Sequence, residues 1–127
     1  MIIDDDRDLC LLTKKVLSLN GHDVEVFYDS GLGIAHAKQH IPDLILMDVM
    51  LPGLSGPEVV RSLQTDPHLK SVPVIFLTGL VSGGDKDVED GGMKVGNINY
   101  QTIGKPYDIE RLLSVIKYAT RVDWKKK

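Results

Sequence analysis

Cysteine occurs once in the 127 residues, as Cys10, so the chain can close no disulfide within itself and a reducing compartment is expected. No apolar run approaches the roughly 20 residues needed to span a bilayer. A basic-then-apolar leader is also missing, because three aspartates arrive at positions 4 to 6. Positive charge does not predominate. The net charge of −3 and a pI near 5.7 argue against a nucleic-acid-binding surface. No glycine-rich phosphate-cradling loop follows the first apolar triplet, which argues against a nucleotide-binding module. Together these absences point to a cytoplasmic domain with no membrane and no direct nucleic-acid contact. What is present is ordinary for a globular chain: 43% hydrophobic and 26% charged residues, in a length that suits one domain.

Apolar segments alternate between two periods. "MIID" reads as a short strand, and its three residues before the aspartates fall below the usual five or so, so a few residues are expected ahead of Met1. In "DRDLCLLTKKVLSLNG", Leu9, Leu12, Val16 and Leu19 share one helical face, with Asp6 as cap and Gly21 as stop. "DVEVF" reads as a strand and "SGLGIAHAKQHI" as a modest helix stopped before Pro42. "DLILMD" and "PVIFLT" are continuous apolar runs, as in strands buried on both faces. Between them "GPEVVRSLQTD" is a helix with Pro57 in its first turn.

The pattern then weakens. "GLVSGGDKDVEDGGMKVGNIN" holds six glycines, so a fourth helix is expected to be eroded there. "NYQTIGKP" resumes as a strand, and "YDIERLLSVIKYATR" is a last helix burying Ile109, Leu112, Leu113 and Ile116 on one side. The domain is expected to span 1–121, with 122–127 a basic tail or the start of a linker.

Five strand–helix alternations call for a doubly wound parallel sheet with helices on both faces. Ligands of such α/β folds bind beyond the carboxyl ends of the strands. Chemistry-bearing residues should therefore terminate strands, and they do. Asp4 and Asp5 end the first strand, Asp48 the third, Thr78 the fourth and Lys105 the fifth. Taken singly, each has a plainer role as cap, strand terminus or surface lysine.

Taken together, the acidic pair, "LILMDVMLPGLSG", "FLTG" and "IGKP" resemble the receiver domain of two-component response regulators over essentially the whole chain. Asp5, Asp48, Thr78 and Lys105 follow one another at separations of 43, 30 and 27 residues. The first two suit the family. The third is several residues long, and the excess falls in the glycine-rich stretch.

The resemblance implies a flavodoxin-like (βα)5 fold with five parallel strands in the order 2-1-3-4-5. It implies that Asp48 is the nucleophile that accepts a phosphoryl group, since phosphoryl transfer needs positioning and charge neutralisation more than covalent help. Mg²⁺ would be bound by Asp5, Asp48 and the backbone carbonyl of Met50, assisted by Asp4. Lys105 would meet one phosphate oxygen and the Thr78 hydroxyl another. The switch residues would be Thr78 and the residue three before the lysine. That residue is Thr102 where an aromatic is usual, with Tyr100 two positions earlier. Pro106 is expected to follow a cis bond. Partners would be a histidine kinase or histidine phosphotransfer protein upstream, and an output domain or downstream protein after it. Beyond its own phosphotransfer and slow self-dephosphorylation, no enzyme activity is expected. The apolar Met50 and Leu80 would flank the phosphoryl group and cannot orient a water.

Two other readings compete. A haloacid-dehalogenase-like phosphohydrolase wants a second aspartate two residues past its nucleophile, where this chain has Met50. A pseudo-receiver that has lost phosphorylation would leave functional positions vacant, and here all four are filled. Asp85, Asp87 and Glu89 imitate a calcium loop, but the glycine comes one position late and Gly96 stands where the bidentate glutamate belongs. His36 and His40 share a helix face without a partner ligand and read as solvated. Cys10 reads as a packing residue.

Overall fold

The computed structural model describes residues 1–79 and 92–125. Strands and helices follow in the order β1 (Ile2–Ile3), α1 (Arg7–Leu19), β2 (Val26–Phe27), α2 (Ser30–Gln39), β3 (Ile45–Asp48), α3 (Gly56–Gln64), β4 (Val74–Thr78), β5 (Gly92–Val95), β6 (Ile98–Gly104) and α4 (Ile109–Lys125). One sheet runs β2-β1-β3-β4-β6-β5. The five parallel strands keep the expected order, with β6 in the fifth place.

β3 and β4 are buried along their whole lengths, as their continuous apolar sequences require. Successive side chains point to opposite faces. Ile45 and Met47 therefore join Val59, Val60, Leu63 and Phe76 in one core, on the face that α3 covers. Leu44 and Leu46 join Cys10, Leu17, Leu112 and Ile116 in the other, beneath α1 and α4.

Three expectations are corrected. The first concerns the sheet: it has six strands, because "GMKV" folds back as β5, antiparallel to β6, with Val95 opposite Ile98 and Gly92 opposite Gln101. Gly96 turns the hairpin at φ +63°, a conformation open to glycine and costly for most other residues. The extra residues before Lys105 are thus partly taken up by an added edge strand. Segment 80–91 lies outside the described residues, and with it Leu80, Asp85, Asp87, Glu89 and most of the expected eroded helix.

The second correction concerns α1. Its buried residues are Cys10, Thr13 and Leu17, while Leu12 and Leu19 are exposed and Leu9 and Val16 are half-buried. Periodicity located the helix but not its buried face. Thr13 is tolerated inside because its hydroxyl hydrogen-bonds the Tyr107 hydroxyl. The third concerns the last helix: α4 continues to Lys125, past Arg121, where the sequence pattern ends it. Its buried side is Leu112, Val115 and Ile116, with Ile109 and Leu113 half-buried.

Candidate functional site

The carboxyl end of β1 delivers three aspartates to three different environments. Asp4 is buried, and its Oδ1 accepts a hydrogen bond from the Asp6 N–H at 3.0 Å. Asp5 is exposed. Asp6 caps α1, accepting from the Leu9 N–H at 3.1 Å, as the sequence suggests. Behind Asp4 the Cys10 thiol donates to its backbone carbonyl at 3.3 Å. Burial, then the charge of Asp4, pushes the Cys10 thiol up to about 12, so it packs and does not react.

Asp48 ends β3 between β1 and β4, with Met47 opposite Ile3 and Asp48 opposite Leu77. Its Oδ1 accepts from the Met50 N–H at 3.4 Å. The chain then turns tightly: the Gly56 N–H donates to the Val49 carbonyl at 2.8 Å, and α3 starts there with Ser55 and Glu58 as a reciprocal capping box. A Cβ on Gly56 would collide with the backbone carbonyl of Asp48. Glycine is what lets α3 begin so close to the acidic site.

Lys105 closes the pocket. Its ammonium lies 2.8 Å from Asp4 Oδ2 and 3.5 Å from Asp48 Oδ1. The Lys105 N–H donates to the Thr78 carbonyl at 2.8 Å, which ties the ends of β4 and β6 together, and the Lys105–Pro106 bond is cis as expected. Thr78 is buried at its strand end. Thr102 is buried too, opposite Phe76 in the register, while Tyr100 stands edge-on to Phe76 with ring centroids 5.8 Å apart.

The electrostatics follow from burial and crowding. Burial first, then the adjacent Asp4 charge, raises the Asp48 carboxyl to about 6, with Lys105 opposing. Burial alone would lower the Lys105 ammonium, but the hydrogen bond and charge of Asp4 outweigh it and the net shift is upward. Asp4 has both oxygens engaged, one by Asp6 and one by Lys105. Asp5 and Asp48 are therefore the better-placed donors for a cation. One oxygen from each of Asp4, Asp5 and Asp48 falls within 4.8 Å of the others, and an all-oxygen carboxylate set suits a hard divalent ion such as Mg²⁺. Met50 exposes its side chain beside this set.

The structure thus brings together Asp4, Asp5, Asp48 and Lys105, with Thr78 at the adjoining strand end. Thr102 stands one turn of the pleat further back. Two residues that make tertiary hydrogen bonds carry no sequence motif: Tyr107, bonded to Thr13, and Gln64 at the far end of α3 from the site. A lone glutamine at a helix end gives no signal that it will reach another strand. At the end of α2, the His36 and His40 rings lie tilted against each other with centroids 4.8 Å apart, and His36 also meets Phe27.

Comparison with known proteins bears on this geometry. The family model described as response regulator receiver domain matches residues 1–117. The protein PilH of Pseudomonas aeruginosa is 35% identical over 116 residues, covering 91% of this chain and 92% of that protein. The polar-differentiation response regulator DivK of Brucella ovis is 34% identical over 119 residues, covering 92% and 91%. The response regulator PleD of Caulobacter vibrioides is 31% identical over 121 residues, and there this chain spans only 26% of the protein. Among solved structures, a CheY-like receiver domain protein from Methanospirillum hungatei JF-1 superposes with a TM-score of 0.82 at 26% identity, over 99% of this chain and 95% of that one.

Proposed function

From the premise that this chain belongs to the response regulator receiver family, we propose that it is a phosphorylation-controlled switch with Asp48 as acceptor and Mg²⁺ as cofactor. The observation that carries this reading is the convergence of Asp4, Asp5, Asp48 and Lys105 at adjacent strand ends, with the lysine within 3.5 Å of the acceptor carboxylate. With its carboxyl at about 6, Asp48 is mostly ionised at neutral pH and able to attack. An oxygen of Asp48 forms a bond to phosphorus as the bond to the donor breaks, and the electron pair leaves with the donor atom. From a kinase or phosphotransfer protein, that atom is an imidazole nitrogen.

The residues then divide the work. Asp5 and Asp48 would hold Mg²⁺ together with the Met50 carbonyl, with Asp4 in support. When bound, Mg²⁺ neutralises phosphoryl oxygens and fixes their direction. Lys105 leaves the carboxylates for a phosphoryl oxygen, and the Thr78 hydroxyl bonds another. Thr102 offers a small hydroxyl where a flipping aromatic would sit, so the response runs through Thr78 and the strand ends. Nothing at Met50 orients a water, so the acyl phosphate persists and turnover of other substrates is not part of the role. The product is a conformational signal to an output domain or a downstream protein.

Incubation with acetyl phosphate and Mg²⁺, followed by intact mass measurement, tests this. The wild-type chain should gain one phosphoryl group. Omission of Mg²⁺ or the substitution Asp48→Asn should prevent it, and labelling that ignores either change refutes the assignment.

A further inference from the structure

α3 connects two places. Its first residue, Gly56, lies against the Asp48 peptide, and its last, Gln64, reaches the hairpin. The Gln64 side-chain nitrogen donates to the Val95 carbonyl at 3.1 Å and to the Tyr100 hydroxyl at 2.8 Å. Val95 ends β5 and Tyr100 lies in β6, so a single amide nitrogen uses both its protons to hold both strands. The other end of the amide is fitted as closely: a Cβ on Gly96 would stand 3.2 Å from Gln64 Oε1. Tyr100 meanwhile packs edge-on against the fully buried Phe76, two residues before Thr78 on β4.

From this geometry we infer that Gln64 is a positioning residue that latches the β5–β6 hairpin to α3 and releases it when the acceptor site is filled. The inference rests on the phosphorylation reading above. Both bonds come from one amide nitrogen, so a shift of the hairpin relative to α3 strains both at once. β6 leads directly into Lys105, and the Lys105 N–H is tied to the Thr78 carbonyl. When the lysine moves from Asp4 and Asp48 to a phosphoryl oxygen, it draws the end of β6 with it. α3 is held at its other end by Gly56 and the capping box. The β4 edge and the hairpin paired to it therefore shift together relative to α3, and the Tyr100 hydroxyl leaves the reach of Gln64. Only a contact present in one state and absent in the other can shift such an equilibrium, and this pair of bonds is one.

Hydrogen exchange over residues 92–104 of the full chain tests the latch, with beryllofluoride and Mg²⁺ as the phosphate mimic and its fluorine resonance reporting occupancy. In the wild type, occupancy should speed hairpin exchange roughly thirtyfold, as the loss of two neutral hydrogen bonds implies. Gln64→Leu and the milder Tyr100→Phe should exchange fast without the mimic and respond little to it, while still binding it. Wild-type occupancy with no change in the hairpin overturns the latch and leaves the switch standing, as do variants that respond like wild type. A wild-type chain that binds no beryllofluoride overturns both.

Discussion

The proposed acceptor, Asp48, would have to be ionised to attack, yet it sits buried beside another carboxylate, and the two demands meet in its pKa of about 6. An acid raised in the folded state holds its proton longer there than when unfolded. Its contribution to stability is therefore best below about pH 4, and it is lost as pH rises to about 6. Asp48→Asn removes the penalty, so the variant should match wild type near pH 4 and exceed it by about 1 kcal/mol at pH 7 without Mg²⁺, once solvent screening is allowed for. Urea unfolding at both pH values measures this, and added Mg²⁺ should narrow the gap by binding only the wild-type carboxylate. Met50 offers a second test at this scale. Its exposed, apolar side chain sits two residues past the proposed acceptor. Met50→Asn places a hydrogen-bonding group where water would attack, so loss of the phosphoryl label, followed by mass, should quicken severalfold. An unchanged lifetime would show that position 50 does not face the phosphoryl group.

The elements show which kinds of sequence signal carry structural weight. Gly56 begins α3 against the end of β3, so Gly56→Ala should cost about 1–3 kcal/mol by overpacking and should also impair labelling of Asp48. Ser55→Ala, which removes only the cap, should cost about 1 kcal/mol and leave labelling intact. Thermal unfolding combined with labelling separates the two. The strands that end in Asp48 and Thr78 were legible because burial on both faces writes an unbroken apolar run. The caps at Asp6 and Ser55 were legible because the required residue types are few. The face of α1 was not, since leucines at Leu9, Leu12 and Leu19 outweighed a thiol and a hydroxyl that the core accepts. The hairpin was not legible either. Its glycines argued against a helix, and only tertiary pairing with β6 makes "GMKV" a strand.

At the scale of the molecule, two cores clamp one sheet, and the acidic pocket sits where the carboxyl ends of β1, β3, β4 and β6 come together. The pocket was readable in advance because its residues all fall at strand ends in a fixed order. Gln64, which reaches the hairpin, was not, because its partners are 31 and 36 residues away. A ligand that binds only the folded chain stabilises it by mass action. Beryllofluoride with Mg²⁺ at a hundredfold excess over its dissociation constant should therefore add about 2.7 kcal/mol to the wild type and nothing to Asp48→Asn. The proposed switch depends on Asp48 itself being the acceptor. Borohydride reduction of the acetyl-phosphate-treated chain, followed by peptide mapping, tests it most directly, because an aspartyl phosphate is converted to homoserine. Homoserine at position 48 alone, and only when Mg²⁺ was present, is the expected result. Homoserine at Asp4, Asp5 or elsewhere, or none despite a phosphoryl label, would contradict it.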